Sequence, residues 1–110
     1  MDNRVATFVG DLGVGVNPKL AARLRDADFL LILGSRFGDI ATGGYTLVTS
    51  GDAGRTIVHV HPDPDLPGQV LHTDLTVTAR AADALALLAG AQSNAPPVWA
   101  EGTHAARADY

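Results

Sequence analysis

One run of five apolar residues, Phe29–Leu33, constrains the fold of this chain more than any other feature. The run has no polar alternation, which is typical of a strand buried on both faces of a sheet and flanked by neighbours on both edges. Five residues are too few to cross a membrane. We therefore predict that this strand lies in the core of an α/β domain with a parallel sheet.

The three residues that follow the run, Gly34, Ser35 and Arg36, are candidates for ligand binding. Ligands of open α/β sheets bind beyond the carboxyl ends of the strands. Gly34 would let a ligand approach the backbone, and Arg36 would offer it a planar, permanently charged donor fork. The alternative is that Gly34 only makes a tight turn and Arg36 pairs with a nearby carboxylate. This stretch alone does not decide between the two.

Composition and charge exclude several classes of protein. The chain has 110 residues, the size of one domain, and its 46% hydrophobic content is enough to build a core. The net charge is -4 and the few basic residues are scattered, so we expect no nucleic-acid partner. The absence of cysteine excludes disulfides, zinc–thiolate sites and thiol catalysis. The residues after Met1 lack the apolar core of a secretory signal, so we expect a cytoplasmic protein without a membrane partner.

Two glycine-rich loops flank the first predicted helix and strand. Glycines at positions 10, 13 and 15 match neither the dinucleotide fingerprint nor a P-loop, so we predict a flexible loop before the helix. The helix start could receive a phosphate, or it could be a capped end with nothing bound. Residues 37–47 form a second loop, after the strand, where a binding element is natural.

The remaining patterns complete an α/β arrangement. Residues 5–9 could be extended, and residues 50–54 read as a surface turn. The predicted elements are a helix over residues 18–26 capped by Asn17, strands over residues 28–33, 56–61 and 74–78, and a helix over residues 79–89 with Gly90 as its C-cap. Strands that alternate with helices or long crossovers indicate a Rossmann-like parallel sheet with flanking helices.

The domain organisation predicts a partial domain followed by a linker. Three strands and two helices leave much of such a sheet uncovered, so residues 1–91 are predicted to be the C-terminal portion of a larger domain. Residues 92–97 are rich in Ser, Asn, Ala and Pro and read as a linker. Residues 98–110 show no core-forming periodicity, so we predict that residues 92–110 are a linker and the start of a following domain.

Four stretches of the sequence together resemble the middle domain of thiamine-diphosphate-dependent enzymes of the acetolactate synthase type. They are FVGDLGVGVNPKL, ADFLLILGSRF, TGGYTL and VHVHP. The similarity covers roughly residues 3–90. The resemblance implies a six-stranded, nucleotide-binding-like parallel sheet, of which this chain supplies the last three strands. It also implies two partners, the missing remainder of the parent chain and further copies in a homo-oligomer.

The resemblance implies cofactors for the parent enzyme, which would decarboxylate or carboligate a 2-oxo acid. Thiamine diphosphate and Mg²⁺ would be held by the other domains, and the middle domain would bind FAD, another nucleotide or nothing. In this family a glutamate activates the cofactor and a Gly-Asp-Gly motif binds its diphosphate. The single glutamate of this segment is Glu101 in the tail, and none of its Gly-Asp pairs continues with glycine. We therefore expect this segment to have no catalytic residues of its own. The alternative is a free-standing Rossmann-like nucleotide-binding or protein-association module.

The resemblance also assigns cofactor-binding positions, of which we expect Gly34–Arg36, His61 and Asp74 to meet at the carboxyl ends of adjacent strands. At two places the sequence departs from flavin-binding members: Gly38 stands in a loop that is charged there, and His61 replaces an acidic residue. The positions implied are Gly10, Leu12, Gly13, Gly34, Ser35, Arg36, His61 and Asp74.

Two histidines on the second predicted strand suggest a metal site, which we reject. His59 and His61 are two residues apart and therefore share a face of the strand. Asp63, Asp65 and His72 are near enough in sequence to supply further ligands, but an H-x-H pair without a supporting motif has a high false-positive risk. We predict that His59 is a buried, hydrogen-bonded histidine and that His61 is exposed and faces the ligand.

Overall fold

A computed structural model describes residues 2–49 and 54–110. Among these residues, three strands form one parallel sheet in the order β1-β2-β3. This confirms the predicted class, a Rossmann-like parallel sheet with flanking helices. The turn predicted over residues 50–54 lies mostly outside the described residues. The elements in chain order are α1 (Pro18–Asp26), β1 (Phe29–Leu33), β2 (Thr56–His61), β3 (Leu75–Thr78), α2 (Ala81–Gly90) and α3 (Ala100–Ala108).

Helix α1 begins and ends where the sequence predicts, because both of its ends are capped. The Asn17 side chain accepts a hydrogen bond from the backbone N–H of Lys19 at 2.9 Å, and proline occupies the first helical position. At the other end, the guanidinium of Arg55 donates to the carbonyl groups of Leu24, Arg25 and Ala27. A cation at the helix C-terminus also suits the helix dipole. These bonds fix α1 beside the start of β2.

The hydrophobic core lies on one face of the sheet. Ile32 on β1 and Ile57 on β2 point to this face, and Leu24 of α1 packs against it. Three buried residues from the loops complete the core: Phe37, Val48 and Leu71. The core therefore depends on loop residues as much as on helices, which fixes the loops at the carboxyl end of β1.

The opposite face of the sheet is only partly covered by the described residues: Val60 of β2 is buried there, but several other side chains are exposed. The strand register places Phe29 and Leu31 of β1 and Leu75 and Val77 of β3 on this face, which we call the open face. Phe29 is 53% exposed and Leu75 is 54% exposed. The apolar pattern of β1 is typical of a strand buried on both faces, but in this chain β1 is not buried on both faces, in line with the expectation that three strands leave much of the sheet uncovered. Within the described ranges, β1 is an edge strand, and Phe29 and Leu31 keep much of their outer surface exposed.

Helix α2 differs in its ends and its burial from the predicted helix. It begins at Ala81, two residues later than predicted, and its C-cap is Ala91, so Gly90 is the last helical residue and not the cap. Leu85 and Leu88 are about half exposed and no residue of α2 is buried, although the helix lies against β2. The leucine pattern predicted the helix correctly, but the packing partner for its apolar stripe is not in the described chain.

The two ends of the chain hold structure that the sequence patterns did not predict. Residues 5–7 form a bend and a turn, and no strand among the described residues includes residues 5–9. The tail, which shows no core-forming periodicity, contains helix α3, and Ala106 on this helix is only 8% exposed. Of the helices that the structure describes, none is long and apolar enough to cross a membrane.

Candidate functional site

Gly34 turns the chain at the carboxyl end of β1. Its backbone N–H donates to the carbonyl of Val60 at 2.8 Å and its φ is +69°, a conformation that favours glycine. A Cβ atom at this position would lie 3.0 Å from the Cβ atom of Ala81. The absence of a side chain therefore allows the turn and the close approach of α2. This geometry supports the alternative that Gly34 makes a tight turn.

Ser35 is tied to its surroundings through two atoms. Its carbonyl oxygen lies 2.8 Å from Nε2 of His59, and this nitrogen must carry a proton because a carbonyl only accepts. Its hydroxyl accepts a hydrogen bond from the backbone N–H of Phe37 at 3.0 Å. His59 is 5% exposed, which confirms that it is a buried, hydrogen-bonded histidine. These bonds make the turn a rigid base for the Arg36 side chain.

Arg36 lies on a cleft of about 380 Å³, which we call the Arg36 cleft. This volume falls in the range of about 300–1,000 Å³ that is typical of small-molecule sites. Four of the eight predicted cofactor-binding residues line it. Two come from the glycine-rich loop before α1, which we call the glycine loop, and two come from the turn after β1. The lining residues are Asp11, Leu12, Gly13, Ser35, Arg36, Phe37, Gly38, Asp39, Ile40, Ala41 and Tyr45.

A second, smaller pocket of about 60 Å³ adjoins the Arg36 cleft. Arg36, Phe37, Gly38 and Tyr45 line both spaces. The buried ring of His59 also faces the smaller pocket. A space of this size holds about two water molecules or a small polar group, so Arg36 stands between a ligand-sized cleft and a small polar recess.

Two residues of the Arg36 cleft have a strained backbone. Phe37 has a φ of +51° and Tyr45 a φ of +65°, and no other non-glycine residue in the described ranges has a positive φ. Phe37 is held by burial in the core, and the backbone N–H of Tyr45 donates to the buried hydroxyl of Thr42 at 2.9 Å. Strain of this kind concentrates at binding sites, and here it falls on two residues that line both spaces.

The charges of the Arg36 cleft are one cation and two carboxylates. Asp11 accepts a hydrogen bond from the backbone N–H of Gly13, and Asp39 accepts one from the backbone N–H of Ile40, each at 2.9 Å. Each carboxylate keeps further acceptor capacity that faces solvent. This set of groups suits a ligand with one anionic group near Arg36 and hydroxyl donors for the carboxylates.

Two of the other predicted site residues, Gly10 and His61, do not line the cleft. Gly10 has a φ of +119° and packs against Leu20 and Tyr110, so it shapes the loop that carries Leu12. His61 ends β2, is half-buried, and its Nδ1 accepts a hydrogen bond from the backbone N–H of Asp63 at 3.0 Å. Neither Gly10 nor His61 lines the cleft, and the prediction that His61 is exposed is wrong because the residue is half-buried.

Asp74 lies at the opposite end of the sheet. It precedes β3, its side chain accepts a hydrogen bond from the backbone N–H of Ile57 at 2.8 Å, and its own N–H donates to the carbonyl of Ile57 at 2.9 Å. Because Ile57 is near the amino end of β2, the expectation that Asp74 meets Gly34 and Arg36 at the carboxyl ends is wrong. Asp74 extends the β2–β3 hydrogen-bond ladder.

Sequence reasoning did not single out Asp11, Asp39 and Tyr45 as part of the site. The glycine-rich composition of residues 37–47 did predict a binding element there, and this loop does line the cleft. The left-handed conformation of Tyr45 leaves no trace in the residue type, because tyrosine rarely adopts it. Within the described ranges, no group of three or more histidine, aspartate or glutamate side chains could hold a metal ion.

Comparison with known proteins matches most of the chain to a protein family. The family model described as "Thiamine pyrophosphate enzyme, central domain" matches residues 1–88, which is most of the chain. No curated protein and no solved structure matches the chain. The matched residues include the whole lining of the Arg36 cleft and end within α2, before the tail that contains α3.

Proposed function

The chain belongs to the family of central domains of thiamine pyrophosphate enzymes, and on that premise we propose that it is the structural, nucleotide-binding part of an acetolactate synthase-like enzyme. The parent enzyme would be cytoplasmic, with thiamine diphosphate as its cofactor, and it would decarboxylate or carboligate a 2-oxo acid. The observation that carries the nucleotide proposal is the Arg36 cleft, which lies at the carboxyl end of β1 where α/β sheets bind ligands.

The residues of this segment do not fit thiamine diphosphate. Its single glutamate, Glu101, is exposed on α3, far in sequence from the cleft, and no Gly-Asp-Gly motif is present to hold a diphosphate and Mg²⁺. The chemistry of the parent enzyme therefore belongs to other parts of the parent chain. This segment would contribute binding and architecture.

The residues of the Arg36 cleft fit one nucleotide better than a whole dinucleotide such as FAD. Arg36 can pair with one phosphate group through its donor fork. Asp11 and Asp39 would repel a second phosphate but can accept hydrogen bonds from ribose hydroxyls. Leu12 and Ile40 supply apolar surface for a base or another flat ring. FAD would be held here through one of its halves only.

Calorimetric titration of the full chain with ADP and with FAD tests this proposal. We expect ADP binding that falls at least about tenfold in Arg36→Ala, because the charged hydrogen bonds to phosphate are lost. Arg25→Ala is the matched control, since Arg25 is an exposed arginine on α1 outside the cleft. Equal binding by wild type and Arg36→Ala, or no binding of either nucleotide, would overturn the proposal.

The open face favours a second candidate function, protein association. An apolar edge strand without charge or proline lacks the devices that keep sheets from pairing. The remainder of the parent chain would cover this face in the whole enzyme, and a second copy would cover it in the isolated chain as a homo-oligomer. Phe29, Leu31, Leu75 and Val77 would supply the buried apolar area.

Sedimentation of the full chain at micromolar concentrations tests the association. We expect a dimer or larger species that becomes monomeric in Leu31→Lys, because a charge on the open face would have to be buried. Val14→Lys is the matched control, since Val14 is an exposed apolar residue in a loop. A wild-type chain that stays monomeric throughout the concentration range contradicts this candidate.

A further inference from the structure

We propose that the last residues of the chain, 107–110, are a displaceable latch that orders the glycine loop of the Arg36 cleft. The latch comprises the last two residues of α3 and the two residues that follow it, and α3 lies outside the residues that match the central-domain family. It contacts α1, and it contacts residues 8–10, which directly precede the loop residues that line the cleft. The role of the latch in ligand binding rests on the proposed function, but its effect on the loop does not.

Asp109 holds the latch to α1 through charge. Its carboxylate lies 2.6 Å from Nζ of Lys19 and 2.7 Å from a guanidinium nitrogen of Arg23. Its carbonyl accepts a hydrogen bond from the side-chain amide of Asn17 at 3.1 Å. Asn17 also caps α1. A single residue of the tail is therefore bonded to three side chains of α1 and its N-cap, from Asn17 before the first turn to Arg23 in the last turn.

The first and last residues of the latch, Arg107 and Tyr110, contact the loop itself. The guanidinium of Arg107 donates to the carbonyl of Phe8 at 2.8 Å. The ring of Tyr110 meets the ring of Phe8 edge-to-face with centroids 5.3 Å apart. The same tyrosine ring packs beside Gly10, where an added Cβ atom would lie 3.4 Å from it. Arg107 in turn lies over the Tyr110 ring, 5.0 Å from its centroid.

The contacts that hold the latch in place are weak enough to be released. Every residue from 91 to 99 is exposed, so the segment that connects α2 to α3 adds little burial to hold the tail in place. The ion pairs of Asp109 are near the surface, where each contributes little and is screened by salt. Because Asp11, Leu12 and Gly13 follow the latched residues directly, release of the tail would loosen one wall of the cleft.

Hydrogen exchange of the full chain, followed by NMR without any ligand, tests the latch. In Asp109→Asn we expect the amides of residues 8–13 to exchange about three- to tenfold faster, the effect of losing two surface ion pairs. The amides of β2 should be unchanged. High salt should accelerate exchange of residues 8–13 in the wild type but not in Asp109→Asn. Glu101→Gln, which removes an exposed charge elsewhere on α3, should behave as the wild type.

Two results would overturn the latch. One is unchanged exchange of residues 8–13 in both Asp109→Asn and the charge-reversed Asp109→Lys. The other is faster exchange spread equally over β2, which would mean general loss of stability. If exchange responds as expected but ADP does not bind the wild type, the nucleotide proposal fails and the latch stands. If ADP binds and exchange does not respond, the latch alone fails.

Discussion

Gly34 and Ala81 approach so closely that a Cβ atom added to Gly34 would lie 3.0 Å from the Cβ atom of Ala81. The contact joins the end of β1 to the start of α2, two elements that are separated by β2 and β3 in the chain. It explains why the turn before Arg36 uses glycine without invoking a ligand.

Gly34→Ala should therefore lower the free energy of unfolding by roughly 1–3 kcal/mol, from backbone strain and from the contact with Ala81. Gly44→Ala is the matched control, because Gly44 has a similar φ of +67° with nothing within 4 Å of an added Cβ. Urea denaturation should show a larger loss for Gly34→Ala, and Ala81→Gly should recover part of the difference. Equal losses at the two glycines would contradict the contact.

The strands and α1 were predictable from sequence because their signals are local. β-branched residues fixed β2 at its observed bounds, and Asn17 followed by Pro18 fixed the start of α1. Helix α3 was not predictable, because its residues are mostly small and polar and it docks through Asp109 and Tyr110. The partners of those two residues lie at the other end of the chain, and no periodicity reports such contacts.

Asp74 should contribute to stability and not to ligand binding. Asp74→Ala removes the acceptor of the backbone N–H of Ile57, and we expect a loss of roughly 1–2 kcal/mol in the free energy of unfolding. ADP affinity should stay within about twofold of the wild type, since the change lies at the opposite end of the sheet from Arg36. Denaturation and calorimetry of the same variant measure both quantities.

Asp65→Ala is the matched control for this prediction, because Asp65 is an exposed aspartate in the β2–β3 connection. It should change neither the free energy of unfolding nor ADP affinity. An Asp74→Ala variant that keeps its stability but loses ADP affinity would restore Asp74 to the ligand site.

The candidate site was predictable in part. The rule that ligands bind beyond the carboxyl ends of strands located the turn at Ser35 and Arg36, and the resemblance supplied Leu12 and Gly13. The position that the resemblance supplied at Asp74 was misplaced, because a residue that precedes a strand lies at the amino end of a parallel sheet. The positive φ of Phe37 and Tyr45 comes from burial and from the bond to Thr42, which are tertiary effects.

The latch should open in acid. Hydrogen bonds from Lys19 and then Arg23 hold the pKa of the Asp109 carboxyl below its ordinary value. A depressed pKa stabilises docking fully above the unfolded pKa, about 4, and this contribution is lost as the pH falls through the folded pKa. We expect contacts between the Phe8 and Tyr110 rings, measured by NMR, to weaken below about pH 4. In Asp109→Asn those contacts should not depend on pH in this range.

The pair of histidines on β2 should not bind zinc tightly. His59 already uses Nε2 as a donor to the carbonyl of Ser35, and His61 uses Nδ1 as an acceptor for the backbone N–H of Asp63. Their rings stand nearly perpendicular with centroids 6.1 Å apart, so a shared metal would require both rings to leave their hydrogen bonds. A zinc site usually needs three or four protein ligands, and no third ligand is grouped with them in the described chain. Calorimetry with zinc should therefore show no stoichiometric sub-micromolar binding. The same titration of His59→Ala should give the same result. Tight binding that disappears in His59→Ala would establish the metal site and show that His59 gives up its hydrogen bond to the Ser35 carbonyl.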